Sequence, residues 1–202
     1  VLMLYKYIVS GGYIMDFTNL ITRIKNDLKN NLSDFRYEHC LLVADEAKKL
    51  AHHYHIDENN AYIAGLVHDI AKEFDDKENA YWIEKYHLSS DLYKPEFKKI
   101  IHANIGAVVA KELYSLDDDI CNAVCYHTIG NVPMSLLDKI VFISDKIARK
   151  NRSPIIEQTA SLAYQDIDKA MLFFIENEKS YLESRGESMH PTTLKLLDCL
   201  KK

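Results

Sequence analysis

Two acidic residues stand where a bare carboxylate would be costly. Asp69 follows the apolar run Ala64-Gly65-Leu66-Val67 and His68, and it precedes Ile70-Ala71. Asp145 comes just after Ile140-Val141-Phe142-Ile143 and shortly before Ile147-Ala148. A buried carboxylate needs a strong partner, and an imidazole beside it suggests a divalent cation, which takes carboxylate oxygen and imidazole nitrogen together. His39, His102 and His127 lie on other apolar segments and extend the candidate ligand set to six. A pair of such ions offers phosphoryl chemistry, by polarising phosphoryl oxygens and generating a deprotonated water at neutral pH. The plainer alternative is a set of satisfied core polar groups. It requires a separate partner for each of two carboxylates and four histidines.

The order H…HD…H…H…D resembles that of the HD-domain phosphohydrolases. The surrounding words narrow the resemblance: Arg36-Tyr37-Glu38-His39, Leu66-Val67-His68-Asp69-Ile70-Ala71-Lys72, His102-Ala103-Asn104-Ile105-Gly106-Ala107, Tyr126-His127-Thr128-Ile129-Gly130 and Ile143-Ser144-Asp145-Lys146-Ile147. Together they are similar to the YqeK-type branch, over roughly Phe17 to Leu200. That branch consists of cytoplasmic bacterial enzymes that split diadenosine tetraphosphate symmetrically into two ADP. The resemblance implies an all-α helical bundle of the HD-domain type and two divalent ions. One ion takes His39, His68, Asp69 and Asp145; the other takes His102 and His127, with Asp69 bridging. It implies iron, whereas the ligand types alone accept manganese equally.

The resemblance, for Arg36 and Lys72, and position beside the ligands, for Thr128, Gly130 and Arg152, distribute the remaining roles. Asp69 and Lys72 are the expected catalytic residues, with Lys72 acting as a point charge on phosphate. Arg36, Lys72, Thr128, Gly130 and Arg152 are the expected substrate contacts: Thr128 through its hydroxyl, Gly130 through its backbone N–H, and Arg152 on the distal phosphates. Two departures fall on the substrate side. The stretch after Asp145 reads Lys146-Ile147-Ala148-Arg149-Lys150-Asn151-Arg152 in place of an acidic-Pro segment, and no proline follows His102-Ala103. An HD-type nucleotidase or phosphodiesterase, or an idle nucleotide-binding module, are the competing functions. The completeness of the six positions favours catalysis. A zinc site at Cys121-x-x-x-Cys125-x-His127 lacks a further thiolate, so both cysteines read as core. Tyr81, Trp82 and Tyr86 fit helix packing better than a base-stacking shelf, and His52, His53 and His55 form a polar helix end.

Helical elements must carry these residues. Apolar residues recur at helical spacing in Phe17, Leu20, Ile21, Ile24 and Leu28, then in Tyr37, Cys40, Leu41, Ala44, Ala47 and Ala51 after a Ser33-Asp34 cap signal. Asp57 caps a third helix through Val67. Further helices are expected over Asn79–Tyr86, His102–Tyr114, Asp117–His127, Ser135–Arg149 and Glu157–Glu183, with Pro191-Thr192 opening a last one. The breaks are short and polar, so a single domain is expected over residues 15–202, with residues 1–14 as an N-terminal extension. The long C-terminal helical stretch offers apolar surface on which two chains can pair.

Bulk properties agree. With 48% hydrophobic and 27% charged residues among 202, the composition is that of an ordinary globular chain. Six Gly and four Pro leave little punctuation for a turn-rich sheet fold. A net charge of -5 argues against coating nucleic acid. The opening run VLMLYKYIV is too short to span a bilayer, and no membrane partner is expected. Four cysteines without framework spacing suggest reduced thiols in a cytoplasmic protein.

Overall fold

The structure, a computed structural model, describes residues 6–8, 14–89 and 100–202. Among the described residues, ten helices make the body: α1 (Phe17–Asn31), α2 (Asp34–His53), α3 (Glu58–Val67), α4 (Asp76–Lys85), α5 (Ile101–Tyr114), α6 (Asp118–Tyr126), α7 (Leu136–Ile147), α8 (Pro154–Ala163), α9 (Ile167–Ser184) and α10 (Pro191–Leu200). The expected all-α bundle is what the chain forms, with one small addition. Strand β1 (Lys6–Ile8) pairs antiparallel with β2 (Ile14–Asp16), which runs straight into α1. This ribbon crosses the boundary expected at residue 15. Residues 1–5 and 9–13 of the expected extension lie outside the described residues.

Local chemistry explains most helix starts. Ser33, Asp57, Ser135 and Ser153 each accept hydrogen bonds from free N–H groups of the first turn, at α2, α3, α7 and α8. Asp75 and Glu78 form a reciprocal capping box, so α4 starts three residues earlier than the apolar pattern suggests. The expected helix over Glu157–Glu183 is two helices. Asp166 turns its carboxylate onto the N–H groups of Asp168 and Lys169 and starts α9 afresh. The apolar side of that stretch is used within the chain, since Ile167, Ala170, Met171 and Ile175 are buried.

One close helix crossing sets where His39 and His68 stand. A Cβ on Gly65 would lie 2.6 Å from the Cα of Ala44, so α3 can press against α2 only because residue 65 has no side chain. That contact brings the C-terminal end of α3 alongside the flank of α2 that carries His39. Helix α7 completes the walls; Ile140, Val141, Phe142, Ile143 and Ile147 are buried, and Asp145 points between its neighbours toward the same spot.

Candidate metal centre

Four of the six expected ligands come from helix ends and two from helix flanks. His68 is the C-cap of α3, with Asp69 next to it. His102 lies in the first turn of α5, and His127 is the C-cap of α6. His39 and Asp145 project from α2 and α7. All six converge around the Asp69 carboxylate, which divides its two oxygens between two sets of donors. Oδ2 faces His68 Nε2 at 3.5 Å and His39 Nε2 at 4.0 Å. Oδ1 faces His102 Nε2 at 3.1 Å and His127 Nε2 at 3.6 Å. Asp145 joins the first set, with Oδ1 3.0 Å from His39 Nε2 and 3.7 Å from His68 Nε2.

Hydrogen bonding fixes the way the rings present themselves. His68 Nδ1 is 2.7 Å from the Gly65 carbonyl, and His127 Nδ1 is 2.7 Å from the Val124 carbonyl. A carbonyl only accepts, so both Nδ1 atoms carry the proton and both Nε2 atoms turn to the cluster, the usual arrangement behind a metal-bound histidine. His68 Nε2 is buried with no hydrogen-bond partner. His102 Nε2 and His127 Nε2 stand only 3.2 Å apart. Two such groups of ligand atoms, His39–His68–Asp69 and Asp69–His102–His127, each lie within 4.8 Å of one another. An orphaned buried imidazole nitrogen and clustered acceptors fit two divalent cations, one on each side of Asp69.

The electrostatics favour positive charge here. Burial opposes ionisation of Asp69, yet the imidazoles of His68, His102 and His127 gathered around it hold its carboxyl far below the usual range. Asp145 behaves alike, with Lys146 and His39 outweighing burial. Burial pushes His102 down to about 4 and lowers His127, which keeps both rings neutral and able to donate a lone pair. His68 moves the other way, because Asp69 and Asp145 overcome its burial. Protein cations also gather at the carboxylate: Arg36 Nη1 lies 2.5 Å from Asp69 Oδ2, and Lys72 Nζ lies 3.9 Å from Asp69 Oδ1 and 3.1 Å from His102 Nε2.

A cavity of about 610 Å³ opens onto this cluster, lined by His39, Asp69, His127 and Asp145 at its floor. Arg36, Lys72 and Thr128 also line it, and the Thr128 hydroxyl is buried with no partner. Two expected substrate contacts are elsewhere. The Gly130 N–H is taken by the Tyr126 carbonyl at 2.9 Å, and the residue, at φ +72°, packs where a Cβ would meet Leu196 Cδ2 at 2.3 Å. Gly130 therefore lets the chain turn after α6 and does not offer its N–H to a ligand. Arg152 reaches toward Glu46, at 4.0 Å, and does not line the cavity. Lys146, Arg149 and Lys150 line it in its place. The run of basic residues after Asp145 is visible in the sequence, but the direction of each side chain is not.

Cys121 belongs to the buried core and Cys125 packs against it, accepting a hydrogen bond from Asn104 Nδ2 at 3.4 Å, as the core reading of both expects. Trp82 stacks on Tyr86 with ring centres 5.9 Å apart, away from the cavity.

Fold and cluster together define a helical protein with a paired histidine–carboxylate cluster suited to divalent metal. The chain belongs to the HD domain family, whose model matches residues 36–150. Among curated proteins it is 31% identical over 168 residues to the symmetrical bis(5'-nucleosyl)-tetraphosphatase of Halalkalibacterium halodurans, covering 83% of this chain and 89% of that protein. It is 31% identical over 169 residues to the protein of the same name from Bacillus subtilis, with 82% and 89% covered. Among solved structures, a Clostridium acetobutylicum protein described as a predicted HD superfamily hydrolase involved in NAD metabolism superposes with a TM-score of 0.82 at 31% identity, covering 90% of this chain and 96% of that one.

Proposed function

We propose that the chain is a metal-dependent hydrolase that cleaves diadenosine tetraphosphate symmetrically into two ADP. The observation that carries the chemistry is the division of Asp69, one oxygen toward His39 and His68, the other toward His102 and His127. The substrate rests on the curated relatives, which bear that activity in their names over most of their length. His39, His68, Asp69 and Asp145 would hold one divalent ion, and His102 and His127 the other, with Asp69 common to both. Iron is our assignment, with manganese compatible with the same donors. When bound, such a pair supplies a deprotonated water and polarises phosphoryl oxygens.

The protein's own groups do the rest. Arg36 and Lys72 are held beside Asp69, and their positive charge can pass to phosphate oxygens when the carboxylate is otherwise neutralised. The free Thr128 hydroxyl is a further donor on the cavity wall. Lys146, Arg149 and Lys150 supply charge for the outer phosphates. ADP is a stable leaving group once its charge is neutralised, so no separate acid is assigned. Sited as they are, the cations give an overall acidic chain a locally basic cavity.

No described helix is long and apolar enough to cross a membrane. We place the protein in the cytoplasm, in keeping with four free cysteines. For a homodimer, the exposed Ile155 and Tyr181 are apolar candidates in the C-terminal helical stretch, and a sedimentation measurement giving only the monomer mass removes that partner. The experiment for the function is product analysis on diadenosine tetraphosphate with metal-loaded protein prepared without oxygen. ADP as sole product is expected; ATP plus AMP, or no turnover, overturns the reading.

A further inference from the structure

The cavity is not uniformly polar: among the described residues a single phenyl ring, that of Phe35, lines it. Phe35, in the first turn of α2, is 77% exposed and lies outside the core cluster and the side chains packed on it. It is the most exposed large hydrophobic side chain among the described residues. Phe35, His39 and Leu42 recur at i, i+4 and i+7, so one flank of α2 carries a metal-site histidine between two apolar residues, and all three line the cavity. Ala148 adds to the apolar lining. The Arg36 guanidinium carbon is 5.8 Å from the Phe35 ring centre, which sets the ring beside a cation already placed at Asp69.

A ligand that fits this cavity must be anionic where it meets Arg36, Lys72 and the basic run, and flat and apolar where it meets Phe35. A nucleotide has that shape, and at about 610 Å³ the cavity is within the usual range for one small-molecule ligand. We infer that Phe35 is the stacking platform for one nucleobase of the substrate, with Leu42 beside it. The inference rests on reading the cavity as the polyphosphate site. Recognition through a ring face tolerates any base, because every base has a π-face. The site should therefore grade nucleotides by stacking strength, purine above pyrimidine.

The test compares two ligands that share phosphates but differ in the base. Affinity for ADP and for pyrophosphate is measured by calorimetry on the metal-loaded wild type, Phe35→Ala and Phe35→Tyr. The wild type is expected to prefer ADP. Phe35→Ala should weaken ADP about tenfold, in the range that base–aromatic stacking supplies, and leave pyrophosphate unchanged. Phe35→Tyr should restore ADP. Equal loss for both ligands, an unchanged ADP affinity in Phe35→Ala, or no wild-type preference for ADP overturns the inference. Because the residue is exposed, the alanine variant should keep the wild-type unfolding temperature, which is recorded alongside. Turnover of diadenosine tetraphosphate by the wild type is assayed separately. A failure there removes the assigned reaction, while the ADP–pyrophosphate difference still decides Phe35.

Discussion

The two sides of Asp69 are built differently. On the Oδ2 side stand His39, His68 and a second carboxylate, Asp145, and this side meets the cavity: the His39 and Asp145 side chains are 17% and 16% exposed. On the Oδ1 side stand only His102 and His127, with side chains 4% and 1% exposed. The first side offers the full charge of Asp145 with a share of that of Asp69 and four donors, the second a share of the Asp69 charge and three donors. Coulomb attraction for a divalent ion is therefore stronger on the first side, while burial on the second makes ligand geometry harder to adjust. The proposed two-ion site would thus combine a firmly held ion with one that depends on its neighbour, through the carboxylate common to both.

Removing that bridge gives the largest effect expected. Asp69→Ala takes one oxygen from each side, so both ions should be lost and kcat/KM on diadenosine tetraphosphate should fall at least about a thousandfold, equivalent to about 4 kcal/mol of transition-state stabilisation. Mass spectrometry of the metal content and steady-state kinetics check it together. A variant that keeps two ions and a tenth of the activity would show that Asp69 does not join the two sides.

The asymmetry is sharpened by taking one ligand from each side. His102→Ala leaves the Oδ2 donors complete, so the purified protein should retain about one ion per chain, with activity lowered about a hundredfold, some 2.7 kcal/mol. Asp145→Ala removes the unshared charge on the firmer side and should drop the metal content below that of His102→Ala. Mild chelation of the wild type should accordingly remove ions in two steps. Equal retention in the two variants, or a single release step, would mean that the second carboxylate does not set the order.

Gly65 supports one side more than the other. Its missing side chain lets α3 approach α2, and its carbonyl orients His68. A methyl at that place meets backbone atoms of Ala44 at 2.6 and 2.9 Å, which cannot move aside as a flexible side chain would. Gly65→Ala is expected to cost about 1–3 kcal/mol of stability. In a chain of this size that lowers the unfolding temperature by roughly 2–4 °C per kcal/mol. The His39–His68 ion should be weakened more than the His102–His127 ion. Calorimetric unfolding and a metal titration of the variant check both statements.

The features of the two sides that are legible in the sequence share one property: they contradict their surroundings. Asp69 and Asp145 announce themselves because a carboxylate inside an apolar helical run demands a partner. The helices announce themselves because a core-facing stripe repeats along them. What depends on direction is not legible. Arg152 and Arg149 are equivalent as text, but only the backbone turn after Ile147 decides which one reaches the cavity. Gly130 looks like a donor of N–H groups until the end of α6 is seen to need that N–H. The break between α8 and α9 hides because apolar spacing continues across it, and Asp166 reads as one more acid on a polar face. Phe35 carries a faint signal, an aromatic residue off the buried stripe of α2 yet in step with His39.

The smallest expected effect concerns that same basic run and tests whether the cavity, rather than the sequence around Asp145, selects the residues that matter. Arg152 is 4.0 Å from Glu46, and its side chain is 32% exposed, so the pair is partly solvated and loosely spaced. Such a pair contributes about 0–1 kcal/mol, and Arg152→Ala should stay within that range in unfolding experiments. Its KM for diadenosine tetraphosphate should match the wild type, because the side chain does not line the cavity. Arg149 does line it and is exposed there, so Arg149→Ala should raise KM several-fold, corresponding to about 1 kcal/mol for a charge-assisted contact in water. The two substitutions remove the same group three positions apart, and their net charge change is identical. General attraction of an anionic substrate therefore falls equally in both, and only placement distinguishes them. A KM that rises equally in the two variants would assign the effect to overall charge and remove Arg149 from the site; a rise in Arg152→Ala alone would return the distal phosphates to Arg152.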